Sequence, residues 1–305
     1  MSALMPNFFL IGANKAGTTS LHYYLSQHPD VFMSNPKEPR FFSAEYDRGF
    51  DYYRRTYFRE YGGERVVGDA ATQHLYLPFV AKRIAANIHE PRFTVICRNP
   101  VDRLVSNYWH RTSIGLESRS FEEVIDLNLR LLAKGQAFAT EREAILYANV
   151  FRDRGDTGLI RDFCFYIESG YYAQNIEAYR SIFGTDRIKI LFFEDLEANP
   201  EEVTNELLDF LGLMPISLSD ARRLNEARSR SAARVVRFFG AMPGIGRIPP
   251  RLKTTVKQQI SRMLKSHGDT KPPISQAARQ QLAAHYRPHN RRLAILTGRS
   301  LDHWA

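Results

Sequence analysis

The part of this chain that most constrains its fold lies near the start. Asn7 to Ile11 is a short apolar run, and Gly12-Ala13-Asn14-Lys15-Ala16-Gly17-Thr18-Thr19 follows it directly. A short apolar run bounded by glycine reads as a buried strand. Thr18 to Gln27 then carries Leu21, Tyr24 and Leu25 at helical spacing and ends before His28-Pro29. The same alternation recurs downstream. Val66-Val67-Gly68 leads to Asp69, Phe93 to Cys97 leads to Arg98-Asn99-Pro100 and a helix through about His110, and Ile188 to Phe193 leads to Glu194-Asp195-Leu196. Asn199 with Pro200 marks the start of a further helix and Gly212 its end. Short buried strands alternating with helices predict an α/β fold, a central parallel sheet flanked by helices. Ligands of such sheets bind at the carboxyl ends of the strands. Lys15, Asp69 and Arg98 all stand just after expected strands, which places them on one crevice.

The glycine loop compares with the nucleotide-binding pattern G-x-x-x-x-G-K-[ST]. Gly12 and Gly17 have its spacing and Thr19 fills the Ser/Thr place, but Thr18 stands where the lysine belongs and Lys15 lies inside the loop instead. Backbone N–H groups at the head of the helix can still cradle a phosphate, with the charge delivered from within the loop. The plainer alternative is a strand-to-helix turn with a solvated lysine. A second motif runs from Arg98 to Tyr108. Ser106 follows Arg98 by eight residues, about two helical turns into the helix. A guanidinium at a strand end and a hydroxyl so placed can grip one phosphate, the first in bidentate fashion.

Taken together, these motifs make the chain resemble the sulfotransferases that use 3′-phosphoadenosine 5′-phosphosulfate (PAPS), with a closer likeness to the bacterial enzymes and Golgi heparan-type domains than to the cytosolic steroid and phenol enzymes. Lys37-Glu38-Pro39-Arg40-Phe41-Phe42, Glu194-Asp195-Leu196, Phe210-Leu211-Gly212-Leu213 and the ending from His289 to Trp304 are similar to further landmarks of that family. The resemblance implies a P-loop-like three-layer fold, one sulfotransferase domain over residues 1–305, and in-line transfer of a sulfuryl group to a hydroxyl or amine. It implies that Lys15 contacts the departing sulfonate, that Ala16, Gly17, Thr18 and Thr19 hold the 5′-phosphate beside it, and that Arg98 and Ser106 hold the 3′-phosphate. A late loop should close on the donor, and Arg228 and Arg230 in Asn225 to Arg230 are its candidates. No metal is expected. In the resembling glycan enzymes the base is a glutamate after the second strand. Asp69 takes that place here, one methylene shorter. His74, His22 and His110 are its rivals, because imidazole titrates near neutral pH.

The net charge of +9 is concentrated in one segment: Ala227 to Gly268 holds ten Lys or Arg and no Asp or Glu, so the remainder is close to neutral. A segment of that kind attracts anionic glycans, glycolipid headgroups or an anionic membrane surface. Nucleic acid is set aside as a partner, since Phe238-Phe239 is the segment's sole aromatic pair and stacking platforms need more. Residues 120–165 read as a largely helical flap, and Gly240 to Pro250 as a Gly/Pro-rich connector. The start lacks a basic, then long apolar, leader. No run of about 18 apolar residues suggests a membrane helix. Cys97 and Cys164 make neither a disulfide framework nor a metal spacing. The expected setting is therefore cytoplasmic, with peripheral membrane contact through residues 227–268. Two other function classes remain beside the sulfotransferase: an ATP-dependent P-loop kinase, and a non-enzymatic protein that binds anionic surfaces. The acceptor expected is a glycan, a glycolipid or a small molecule.

Overall fold

The structure is a computed structural model, and it describes residues 4–113, 116–135, 142, 144, 145, 148, 166–222 and 274–304. Five parallel strands form its sheet: β1 (Phe8–Gly12), β2 (Val31–Met33), β3 (Val66–Asp69), β4 (Arg92–Cys97) and β5 (Ile188–Phe192), in the order β2-β3-β1-β4-β5. The earliest strand is thus the central one. Phe8 pairs with Gly68 of β3 on one side and with Arg92 of β4 on the other. From β1 the chain crosses to the edge at β2, returns through β3, and only then reaches β4. The crevice at the carboxyl ends of β1 and β4 therefore lies where the strand order reverses, the place where open α/β sheets bind ligands.

Every residue of β1 is buried. Phe9 stacks on Phe93 of β4 with ring centroids 5.5 Å apart and meets Phe42 edge-on at 5.8 Å. Fully burying one such ring contributes about 1.5–3 kcal/mol, so the sheet that carries the crevice is rigidly seated. Helices α1 (Thr18–Leu25), α2 (Phe41–Ala44), α3 (Gly49–Tyr57) and α4 (Val80–Ala85) pack on this core with the helices Tyr172–Phe183 and Pro200–Phe210. At Gly68 of β3 the Met33 side chain of β2 packs directly over the backbone, and an added Cβ would displace it.

A second apolar cluster joins α5 (Pro100–Ser113), α6 (Phe121–Ala133) and the long helix Gln276–Thr297 through Leu104, Tyr108, Phe121, Val124, Leu282 and Tyr286. Helix α6 opens on a capping box, in which the Ser120 hydroxyl accepts from the Glu123 amide and the Glu123 carboxylate accepts from the Ser120 amide. This is the described part of the expected 120–165 flap. The helix from Pro200 ends as expected at Gly212, which has a φ of +75°. Its expected cap, Asn199, makes no side-chain capping bond.

The sequence reading missed β2. A three-residue strand has no periodicity to detect, and its pairing with Val66, Val67 and Gly68 defines it. No helix among the described residues is long and apolar enough to cross a membrane. Arg228, Arg230 and the whole basic segment 227–268 lie outside the described residues, as does most of 136–165 and with it Cys164.

Candidate active site

The glycine loop leaves β1 in contact with its neighbours. A Cβ on Gly12 would come 2.9 Å from Leu75 Cδ2, and the Ala13 amide donates to Ile96 O of β4 at 3.0 Å. Lys15 has a φ of +65° and Gly17 one of +87°. Left-handed backbone at Gly17 turns the chain into α1, and a Cβ there would sit 3.0 Å from Leu196 Cδ2 and 3.1 Å from Phe193 Cδ2. Ala16 and Thr18 are buried, whereas Lys15, Gly17 and Thr19 are half-buried.

Arg98, at the end of β4, donates through Nη1 to the Lys15 carbonyl at 2.9 Å. Its guanidinium lies 4.4 Å from the centre of the Phe193 ring, and its own carbonyl accepts from the Tyr172 hydroxyl at 2.9 Å. The Asn99 side-chain oxygen accepts from the amides of Val101 and Asp102 at 3.0 and 3.4 Å, and so caps α5. Ser106 lies half-buried on that helix. The structure thus brings Lys15, Gly17, Thr18, Thr19 and Arg98 together around one loop, with Ser106 on the helix that departs from it. Burial holds the Lys15 ammonium below the usual lysine range. Glu38 opposes this shift, while Arg98 and Lys37 add to it.

The four residues considered for proton transfer occupy different settings. Asp69 is fully buried. Its Oδ2 accepts from the Tyr53 hydroxyl, and its Oδ1 has no hydrogen-bond partner. Burial pushes its carboxyl up to about 7, against the Tyr53 bond and the Lys37 charge, which favour the ionised form. His74 is equally sealed. Its Nδ1 stands 3.8 Å from Asp69 Oδ1, both ring nitrogens lack partners, and burial pushes it down to about 3. His22 contacts Ser34 O through Nε2 at 3.1 Å, and burial pushes it down to about 4. His110 is exposed near the end of α5.

Glu38 is a carboxylate that the sequence reading did not single out for chemistry. It follows β2, is exposed, and has a φ of +63°. Its amide donates to Ala70 O at 3.1 Å, just beyond Asp69. Its Oε1 accepts from Lys37 Nζ at 3.2 Å and from Thr72 Oγ1 at 3.4 Å. Glu38 is also the carboxylate whose charge bears on Lys15. The signal for it was present in Lys37-Glu38-Pro39, which the sequence offers as a family landmark rather than as a base. Among the described residues no group of three or more His, Cys, Asp or Glu is placed to hold a metal ion. Burial pushes the Cys97 thiol up, away from reactivity.

Residues 5–238 match a family model described as a sulfotransferase domain. Heparan sulfate glucosamine 3-O-sulfotransferase 3B1 of Mus musculus is 25% identical, over 98% of this chain and 65% of that protein. The membrane-associated sulfotransferase kil1 of Dictyostelium discoideum is 24% identical, over 72% of this chain and 59% of that protein. The chain therefore spans somewhat less than two thirds of the length of these relatives. A solved sulfotransferase from Alicyclobacillus acidocaldarius superposes with a TM-score of 0.59 at 23% identity, over 99% of both chains, and so shares the fold.

Proposed function

The chain belongs to the sulfotransferase domain family, and from that premise we propose that it transfers a sulfuryl group from PAPS to a hydroxyl or amine of a glycan, glycolipid or small-molecule acceptor. The observation that carries this reading is the bond from Arg98 to the Lys15 carbonyl. It holds the end of β4 against the glycine loop, which supports a reading in which Lys15, Arg98 and the head of α1 serve one ligand. A nucleotide with phosphates at both 5′ and 3′ positions suits such a site. A nucleoside triphosphate makes no use of Arg98 with Ser106.

In this reading Gly17, Thr18 and Thr19 hold the 5′-phosphate through amides and hydroxyls, with Ala16 completing the turn. Arg98 and Ser106 hold the 3′-phosphate. Lys15 lies against the oxygen that bridges phosphorus and sulfur and stabilises the charge that grows there as the sulfur–oxygen bond breaks. The acceptor oxygen or nitrogen forms the new bond to sulfur from the opposite side, and its proton passes to a carboxylate. We assign that carboxylate to Glu38 rather than Asp69. Glu38 is exposed and its charge acts on Lys15, whereas Asp69 is fully buried against Tyr53 and His74. Asp69 then serves to fix β3 and Tyr53 beneath the site. The glycan class of acceptor is supported by the named activity of the mouse relative. A cytoplasmic setting and membrane contact through 227–268 belong to the same reading.

The test is calorimetric titration with 3′-phosphoadenosine 5′-phosphate, ATP and AMP, with and without magnesium, followed by transfer of labelled sulfate from PAPS to acidic and neutral glycans. Magnesium-independent binding of the bisphosphate and labelling of an acceptor support the proposal. Preference for ATP with magnesium refutes it in favour of a kinase.

A further inference from the structure

Arg103 lies on the first turns of α5, between Arg98 and Ser106, and is wholly buried. Its Nη1 donates to Asn14 Oδ1 in the glycine loop at 2.8 Å. Its Nη2 donates to the carbonyl of Tyr166, and its charge acts on the nearby Tyr286 hydroxyl, which donates to Ile167 O at 2.7 Å. Its Nε has no acceptor. Around it stand the buried rings of Tyr166, Tyr172 and Tyr286, and none of its interactions with the described residues is an ion pair.

A buried guanidinium gives up its hydration and so holds its hydrogen-bond partners firmly, and Asn14 Oδ1 is the partner that belongs to the glycine loop. Lys15 and Arg98 flank Asn14 on the loop side, and Lys37 adds a further positive charge. Glu38 and Glu194, whose Oε1 accepts from the Asn99 amide at 3.4 Å, are the carboxylates set against these four cations. The loop region therefore carries an excess of positive charge, and part of it is locked behind the loop where water and salt cannot screen it.

We propose that Arg103 is a positioning residue for the sulfuryl donor. It clamps the Asn14 side chain so that the loop amides face the crevice, and its buried positive charge favours the donor's 5′ anionic group across the loop. This inference rests on the reading of the loop as a phosphate site. It adds to that reading a cation that touches no ligand yet sets donor affinity through Asn14.

A double-mutant cycle tests it on the full chain. Dissociation constants for 3′-phosphoadenosine 5′-phosphate, KM for the acceptor and the unliganded melting temperature are measured for wild type, Arg103→Met, Arg103→Lys, Asn14→Ala and Arg103→Met with Asn14→Ala. Arg103→Met is expected to weaken bisphosphate binding by about ten- to a hundredfold, the range for a lost hydrogen bond to a charged group. Acceptor KM should stay unchanged, Arg103→Lys should recover part of the loss, and the double variant should bind no worse than the weaker single one. Bisphosphate binding within twofold of wild type in Arg103→Met overturns the proposal, and so do additive losses in the double variant. If Arg103→Met does not fold, Asn14→Ala decides: weaker bisphosphate binding at an unchanged unliganded melting temperature supports the clamp, and undiminished binding refutes it. Failure of the wild-type protein to bind the bisphosphate sinks the underlying reading and the clamp together. Failure of the variants alone sinks only the clamp.

Discussion

The carboxylates of Glu38 and Asp69 belong to adjoining pieces of backbone, joined by the bond from the Glu38 amide to Ala70 O at 3.1 Å, yet they have opposite environments. Glu38 is exposed and paired with Lys37, while Asp69 is sealed beneath it with a neutral-leaning carboxyl. A base must meet both the acceptor and, after the reaction, bulk solvent. That asymmetry separates the two residues more firmly than their chemistry does.

Exchange of Glu38 for Gln should lower kcat by about 10²–10⁴-fold, the usual contribution of a positioned general base. Binding of 3′-phosphoadenosine 5′-phosphate should change little. Steady-state sulfate transfer together with calorimetry reads both. A Glu38→Gln enzyme with near-normal kcat, beside an inactive but folded Asp69→Asn enzyme, would return the role to Asp69.

Loss of Arg98 should be felt in nucleotide affinity. Arg98→Ala removes a charged phosphate contact and the tie to the Lys15 carbonyl, so bisphosphate binding should fall by about a hundredfold or more. Ser106→Ala removes a single neutral donor and should cost about three- to tenfold. AMP, which lacks the 3′-phosphate, should be nearly indifferent to Ser106→Ala. Equal losses for AMP and the bisphosphate would place Ser106 elsewhere in the chemistry.

The buried Asp69 carboxyl makes a prediction about pH. Its folded value of about 7 lies above its ordinary 3.8. Between about pH 4 and pH 7 the folded protein keeps a proton that the unfolded chain has released, so the stability this group confers at low pH is lost as pH rises through that window. His74, pushed down to about 3, acts in the opposite sense and offsets part of this slope in the wild type. Asp69→Asn stays neutral and escapes the loss. Its stability relative to wild type should climb from pH 4 to 7 and level off above, as read from urea denaturation across pH. A flat difference curve would mean that Asp69 titrates normally.

Gly17 should tolerate no side chain. Gly17→Ala incurs the left-handed backbone cost of about 1–2 kcal/mol and also presses on Leu196 and Phe193. Gly298 shares that left-handed backbone, with a φ of +68°, and has nothing within 4 Å of an added Cβ, so Gly298→Ala reports the backbone cost alone. The melting temperature should drop further for Gly17→Ala than for Gly298→Ala, and nucleotide binding should weaken only for the former.

Much of this protein is legible in its sequence. Local apolar runs specify β1, β3, β4 and β5. Gly12 and Gly17 specify the loop that turns β1 into α1, and Arg98-Asn99-Pro100 specifies the end of β4 and the start of α5. Each of these depends on residues close in sequence, so local chemistry suffices to show it. Tertiary structure decided the rest. Strand β2 exists because β3 lies beside it, and with β2 comes the placement of Glu38. Asp69 and Glu38 are both acids in the sequence, and only the packing of Tyr53 and His74 around one of them separates a sealed carboxyl from an exposed one. Arg103 reads as an ordinary helix arginine until Tyr166, Tyr172 and Tyr286 are seen to enclose it. Burial is a sum over neighbours distant in the chain, and it sets the protonation and accessibility on which the chemistry depends.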